Sequence, residues 1–302
     1  MKRFFALSRT SHGVLDLAAP AFCALLWLGG FPQASVILLS LFTAFAGYTA
    51  VYALNDLVGA KVDKEKFAAS GINPGYSVEA SAQRYPLAQN LLSFKSGLLW
   101  MGGWAILALI GSYLLNPIIV FILLAAAVLE VVYCLLLKVT YLRVIVSGAV
   151  KASGPIAAVF VVDSNPSPYF LLLLFSWLFL WEIGGQNIPA DWNDAAEDKR
   201  VNAKTIPIRF GVEKAGLIVI AATALTVVAS GFLPLISPAK LGLPYILISL
   251  LIGYALLVKP GFQLYKFKEG RYAARLFDNA SYYPLAQLTL ISVFLIIPNF
   301  IG

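Results

Sequence analysis

The sequence predicts an all-α, polytopic membrane protein of about nine transmembrane helices. First, 60% of the 302 residues are apolar and only 12% are charged, against roughly 45–50% and 25% in soluble domains. Second, once three long polar stretches are set aside, the chain divides into segments near the ~20 residues that a bilayer-spanning helix needs. Third, those segments carry Leu, Ile, Val, Phe and Ala without the strict alternation over about ten residues that marks a membrane β-barrel. A water-soluble α/β enzyme, a disulfide-built secreted domain and a disordered chain are thereby excluded. Cys23 and Cys134 lie inside apolar runs, without a C-x-x-C pair or a His at ligand spacing, and read as small core residues.

The predicted segments are 13–30, 34–54, 87–114, 117–137, 144–162, 168–188, 215–236, 241–258 and 283–301. Ahead of the first, Phe4 to Leu7 is too short an apolar run for the core of a cleaved signal peptide, so this segment is expected in the mature protein. The second ends where the polar stretch 55–86 begins, and the third carries Lys95. The fourth holds Glu130 and Tyr133 and ends before Lys138; the fifth holds Lys151. Glu182 falls in the sixth, which leads into the polar stretch 189–214. Asp278 stands before the ninth, where the helix dipole favours an acid without any chemistry. Acids inside a bilayer are costly and so default to functional candidates, which singles out Glu130 and Glu182, with Lys95 or Lys151 as potential partners. Glu130 lies three residues before Tyr133, on the same helical face.

Basic residues orient the bundle. Counting helices alternates the sides of the membrane, and nearly every Lys and Arg falls on one of them: Arg9, Lys61, Lys64 and Lys66, Lys138 and Arg143, then Lys199, Arg200 and Lys204. The opposite side holds only Lys240. The positive-inside rule then places the N-terminus and both long polar stretches in the cytoplasm of a multi-pass plasma membrane protein. The net charge of +7 suits membrane lipids with anionic headgroups or an anionic substrate, and no nucleic-acid partner is expected.

Acids are few, 15 in all, and they cluster. Asn55, Asp56 and Asp63 follow the second segment; Asp191, Asp194, Glu197 and Asp198 follow the sixth. If the helices continue, a spacing of seven brings Asp56 and Asp63 onto one face about 10 Å apart along the axis. Asp191, Asp194 and Asp198 share a face in the same way, while Glu197 points elsewhere. Carboxylates converging at a membrane edge repel one another unless cations sit between them. Magnesium takes oxygen ligands, usually one or two carboxylates completed by water and phosphate oxygens, so two such clusters can hold ions on either side of a diphosphate. A solvated surface of mixed charge is the competing reading.

These residues resemble the UbiA superfamily of intramembrane prenyltransferases. Its first motif, N-D-x-x-D-x-x-x-D, is matched by Asn55, Asp56 and Asp63. Its second, D-x-x-D-x-x-x-D, is matched by Asp191, Asp194 and Asp198, followed by Lys204-Thr205-Ile206-Pro207. The resemblance covers essentially the whole chain. It implies nine helices around a central cavity open to the cytoplasm, forming a single domain capped by stretches 55–86 and 189–214, with Gly71, Pro74 and Gly75 as hinges. It also implies a magnesium-dependent transfer, with two ions, of a prenyl group from an isoprenyl diphosphate, geranylgeranyl or similar, to an aromatic or lipid acceptor through an allylic carbocation. The metal-holding set is then Asn55, Asp56, Asp63, Asp191, Asp194 and Asp198, with Tyr133, which resembles the family's tyrosine near the end of the fourth helix, as a further catalytic residue. Arg9, Asn55, Lys138, Lys199 and Lys204 would contact the diphosphate, and His12 and Glu130 would stand on the acceptor side. For Arg9 and Lys138 a topology signal is the competing reading; for His12 and Glu130 it is a structural hydrogen bond or ion pair.

Two positions depart from the family pattern. Gly59 stands where the middle aspartate is usual, and Ser70-Gly71-Ile72-Asn73-Pro74-Gly75 lacks the Arg that usually follows the Asn. The transfer requires a water-free chamber for the cation, which Phe45, Tyr48, Tyr52 and Trp181 are candidates to line. A terpene cyclase of the same superfamily remains an alternative. A secondary transporter is another, although its site belongs near the midplane with repeat symmetry that the sequence lacks. The single glycine-punctuated motif of a CDP-alcohol phosphotransferase is absent.

Overall fold

The computed structural model describes residues 1–67 and 85–297, and among them it contains helices and no strand. The N-terminal helix α1 (Lys2–Leu7) precedes α2 (Thr10–Asp16) and α3 (Ala18–Leu28). Then come α4 (Ala34–Phe67), α5 (Phe94–Leu115), α6 (Pro117–Leu135), α7 (Arg143–Val162), α8 (Pro168–Trp181), α9 (Ile188–Asn193) and α10 (Ala195–Arg200). The chain continues through α11 (Ile206–Ile236), α12 (Gly242–Gly253) and α13 (Lys259–Phe267) to α14 (Gly270–Ile296). Two π-helical turns, Glu182–Asn187 and Tyr254–Val258, join α8 to α9 and α12 to α13.

Among the described residues, 8 helical runs are long and apolar enough to cross a bilayer: Thr10–Leu28, Ala34–Lys66, Phe94–Leu115, Pro117–Lys138, Arg143–Val162, Pro168–Asn193, Ile206–Ile236 and Gly242–Phe267. The protein is therefore an integral membrane protein. The ninth expected segment, 283–301, is the C-terminal part of α14, whose first turns carry Arg271, Arg275 and Asp278; residues 298–301 lie outside the described residues.

The helices outrun the predicted segments at their charged ends. Residues 55–67, expected in a cap, are the last turns of α4, and the stretch 189–214 is helical through α9, α10 and the start of α11. The third segment begins later than expected, at Phe94, where the Ser93 side chain accepts from the Ser96 N–H at 3.1 Å. Asn116 caps α6 in the same way, with Pro117 in its first turn. At the end of α3, Gly29 takes the left-handed conformation (φ +67°) against Ala239, whose Cα would lie 3.3 Å from an added Cβ.

The main helices close into a ring. α4 packs on α6, α6 on α7, α7 on α8, α8 on α11, α11 on α12, α12 on α14, and α14 on α2 and α3, with α2 returning to α4; α3 also packs across on α7, and α5 lies against α4 and α6 with its last turn reaching the interior. Where helices meet most closely the residues are small, as expected where lipid supplies no hydrophobic drive between helices. An added Cβ at Gly184 would stand 2.7 Å from Ala222 Cβ, and one at Gly185 2.8 Å from Ala280 Cβ. These contacts seat the first π turn between α11 and α14. Trp177 and Trp181 anchor the same region, donating to the Tyr283 hydroxyl at 3.2 Å and to the Ala280 carbonyl at 3.0 Å.

Candidate active site

A cavity of about 790 Å³ lies to one side of this ring, walled by α2, α3, α4, α6, α7, the first π turn, α9 and α14, with the end of α5. Phe31, Pro32, Ile37, Leu115, Ile119 and Val162 line one end, all at the same ends of their alternating helices, and that end is apolar. At the opposite end the wall is polar and charged: Arg9, Asn55, Asp63, Lys66, Tyr85, Glu130, Tyr133, Lys138, Arg143, Asp191, Asp194 and Asp198. The two aspartate motifs thus meet at one mouth of an apolar chamber.

Toward the mouth, the cavity face of α4 is made by Asn55, Val58, Gly59, Val62, Asp63 and Lys66. Asp56 does not line it. Its buried carboxylate accepts from Arg9 Nη2 at 3.0 Å, and Arg9, which does line the cavity, also donates to Asn55 Oδ1 at 3.2 Å. Asp56 is therefore placed to hold Arg9, rather than to share the cavity face with Asp63. Arg9 itself has left-handed backbone (φ 44°), a conformation uncommon outside glycine and enriched at functional sites. Gly59 has a visible consequence. A Cβ there would stand 3.2 Å from Asp63 Oδ2, so the missing side chain lets the Asp63 carboxylate fold back against its own helix.

The second motif stands on a helix of mixed pitch. Glu182, Gln186, Asn187, Ala190, Asp191, Asp194 and Asp198 all line the cavity, because the π turn Glu182–Asn187 and a break at Asp194 (φ −91°, ψ 11°) re-phase the run. Cations brace it. Arg143 Nη1 lies 3.4 Å from Asp191 Oδ1, with the guanidinium 4.0 Å from the centre of the Tyr133 ring, and Lys66 Nζ lies 2.6 Å from Asp198 Oδ1. The last pair ties the end of α4 to α10. Behind the aspartates runs a hydrogen-bonded series: Asn187 Nδ2 donates to the Tyr133 hydroxyl at 3.0 Å and to Ser147 Oγ at 3.1 Å, and Ser147 donates to Glu182 Oε1 at 2.6 Å.

Several expected residues fall elsewhere. Lys199 and Lys204 are exposed and do not line the cavity: α10 turns Lys199 outward, and Lys204 lies in the connection to α11, its backbone N–H bonded to Leu137 O. Lys138 does line it, paired with Glu65 at 2.5 Å. Glu130 accepts from Asn55 Nδ2, and its partner is thus neither Lys95, which is exposed, nor Lys151. Lys151 pairs with Asp16 at 2.8 Å, and the Tyr52 hydroxyl donates to the same carboxylate. His12 is buried on the cavity wall, Nε2 3.7 Å from Asp16 Oδ1. Tyr48 and Tyr52 line the cavity; Phe45 instead packs edge-on against Trp104, and Trp181 is committed to Ala280. Glu197 does not line the cavity, yet it is buried rather than solvated. The proposed hinges Gly71, Pro74 and Gly75 lie outside the described residues.

Lys66, Arg143, Ser147, Gln186 and Asn187 line this site although no sequence motif marks them, and Asp16 stands behind the wall as the partner of Lys151. A lone acid in an apolar segment was the one available signal for Asp16, as it was for Glu182.

The wall at the mouth offers carboxylates of Asp63, Asp191, Asp194 and Asp198 and the amide oxygen of Asn55. Among the described residues no three His, Cys, Asp or Glu side chains converge closely enough to hold a metal ion unaided. Such an oxygen-rich, incomplete donor set fits a hard divalent cation whose remaining ligands are water and phosphate oxygens. Interleaved with Arg9, Lys66, Lys138 and Arg143, it suits a polyanionic headgroup joined to an apolar tail.

No curated protein matches the chain. Solved structures do. An apo UbiA homologue from Aeropyrum pernix K1 is 16% identical, with 93% of this chain and 97% of that one covered and a TM-score of 0.73. A UbiA homologue from Archaeoglobus fulgidus bound to DMAPP and Mg²⁺ is 17% identical, covering 96% and 99%, at a TM-score of 0.69. A digeranylgeranylglyceryl phosphate synthase is 19% identical, covering 98% of each, at 0.64. At these identities the likeness establishes the fold. The model of the UbiA prenyltransferase family matches residues 17–291, a span that takes in both aspartate motifs and most of the ring around them, and this chain therefore belongs to that family.

Proposed function

We propose that the protein is a magnesium-dependent intramembrane prenyltransferase, moving a prenyl group of geranylgeranyl length or similar from its diphosphate to an aromatic or lipid acceptor. The observation that carries this reading is the joining of carboxylates and cations from both motifs at one mouth of an apolar cavity. Family membership supports it, as do relatives of this fold bound to DMAPP or GPP with Mg²⁺.

Asn55, Asp63, Asp191, Asp194 and Asp198 would hold the metal, two ions in this reading, which supplies positive charge to the departing diphosphate when bound. Arg9, Lys66, Lys138 and Arg143 bind and orient the diphosphate oxygens, and Asp56 fixes Arg9. As the bond between C1 and the diphosphate oxygen breaks, the electron pair leaves with the diphosphate and C1 becomes an allylic cation. The faces of Tyr133, Tyr48 and Tyr52 stabilise that cation, and the aliphatic wall keeps water from it. In this reading the mouth, the N-terminus and the capping stretches 55–86 and 189–214 face the cytoplasm of a plasma membrane protein, and the charge bias of the loops supports it. Diphosphate release from geranylgeranyl diphosphate by the purified protein tests the proposal. EDTA should abolish release while leaving helical circular dichroism intact, and Mg²⁺ or Mn²⁺ should restore it; full release in EDTA would contradict metal dependence.

A further inference from the structure

The chamber wall contains a second polar feature, deeper than the mouth and unused by diphosphate binding. Glu182 and Asn187, at the two ends of one π turn, are buried to 7% and 5% exposure and both line the cavity. Glu182 Oε2 and Asn187 Oδ1 have no hydrogen-bond partner among the described residues. Burying an unsatisfied acceptor costs about 1–3 kcal/mol, more for a charged group, so two of them in one turn, both on the cavity wall, point to a bound donor.

The hydrogen-bond series fixes what that ligand must offer. Ser147 has one proton, and it goes to Glu182 Oε1; its oxygen can then only accept from Asn187 Nδ2. Asn187 Nδ2 also serves Tyr133. The amide orientation is thereby set, and the free atom on Asn187 is its carbonyl oxygen. Both vacant positions are acceptors, so the ligand presents donors. A prenyl diphosphate has none, because its tail is hydrocarbon and its headgroup an anion. The ionisable groups acting on Glu182 are Lys151, Asp16 and His12; Lys151 and Asp16 are occupied with each other.

We propose that Glu182 and Asn187 are the acceptor-binding residues, taking the O–H of a hydroxyl-bearing acceptor, and that Glu182 receives its proton. This rests on the prenyl-transfer reading above. In the step, the acceptor oxygen, or a ring carbon conjugated to it, bonds to prenyl C1. The C1–O bond has broken toward diphosphate, and the proton released by the acceptor passes to Glu182 Oε2. No other reactant is required. Tyr133, bonded to Asn187 and lying under Arg143, sets the acceptor site beside the diphosphate end of the chamber.

The test uses pairs of probes that differ in one donor: 2-naphthol with 2-methoxynaphthalene, read by their fluorescence, and 1-decanol with decyl methyl ether, read by displacement of 2-naphthol. The protein should bind at least one hydroxyl probe about tenfold or more tighter than its methyl ether, and the pair that shows it distinguishes a phenolic from an aliphatic acceptor. E182Q and N187L should each abolish the preference. Equal binding within both pairs, or a preference unchanged in both variants, would overturn the inference. Binding of geranylgeranyl thiodiphosphate with Mg²⁺, measured by calorimetry on the same preparations, shows that the variants are folded. If wild-type protein fails to bind it while the hydroxyl preference stands, the prenyl-transfer reading fails instead.

Discussion

Lys66 and Arg143 each face an aspartate of the second motif, at 2.6 Å and 3.4 Å. Both also line the cavity, whereas Lys199 and Lys204 do not. A hydrogen bond to a charged group contributes roughly 1.5–3 kcal/mol. Lys66→Met and Arg143→Gln should therefore raise the KM for prenyl diphosphate by about ten- to a hundredfold, while Lys199→Met and Lys204→Met leave it within about twofold; steady-state kinetics over a diphosphate titration reads the difference. Glu197→Ala is informative in another way. Glu197 is 5% exposed and off the cavity, so its loss should lower the thermal midpoint, by about 2–4 °C for each kcal/mol, without changing kcat. The sequence made the motif aspartates legible because their spacing repeats a helical period. It could not show that Asp56 serves Arg9, or that Asp16 meets Lys151 across 135 positions, since those pairings arise from the ring. In the sequence Lys66 and Arg143 carry only an orientation signal, because a cation at a helix end gives that signal whether or not it also binds an anion.

At the scale of elements, the apolar segments were legible and their ends were not. Hydropathy marks where a chain leaves lipid, whereas a helix stops only where its backbone hydrogen bonds stop; hence α4 runs on through Asp56, Asp63 and Lys66 to Phe67. The π turn Glu182–Asn187 was likewise invisible, because the sequence there, Glu-Ile-Gly-Gly-Gln-Asn, shows only two glycines in an apolar segment. Those glycines are where α11 and α14 press against the turn. Gly184→Val should overpack that contact at a cost of about 1–3 kcal/mol and shift Glu182 and Asn187 off the cavity face. The expected result is a lower unfolding midpoint in detergent together with lost acceptor transfer at unchanged prenyl diphosphate binding.

For the whole molecule, the arrangement of helices accounts for how the proposed function would hold a polyanion and a hydrocarbon together in one chain. Carboxylates and cations meet at one end, where helices α4, α6 and α10 finish and α7 begins; beyond them and the polar group around Glu182, Asn187 and Lys151, the wall is mostly aliphatic and aromatic. The loop charges predict the proposed sidedness. With single cysteines introduced in turn, a membrane-impermeant thiol reagent applied to intact cells should label position 240 and spare position 64; the reverse pattern would invert the protein and the side from which its diphosphate enters. The central claim is that the two aspartate motifs jointly hold metal and diphosphate at the mouth of this cavity. Anomalous diffraction from crystals grown with Mn²⁺ and geranylgeranyl thiodiphosphate tests it most directly. The expected map places manganese between α4 and α9–α10, against Asp63 and the second-motif carboxylates, with the prenyl chain running into the apolar end; prenyl ligand bound elsewhere, or bound with no manganese between the motifs, would contradict it.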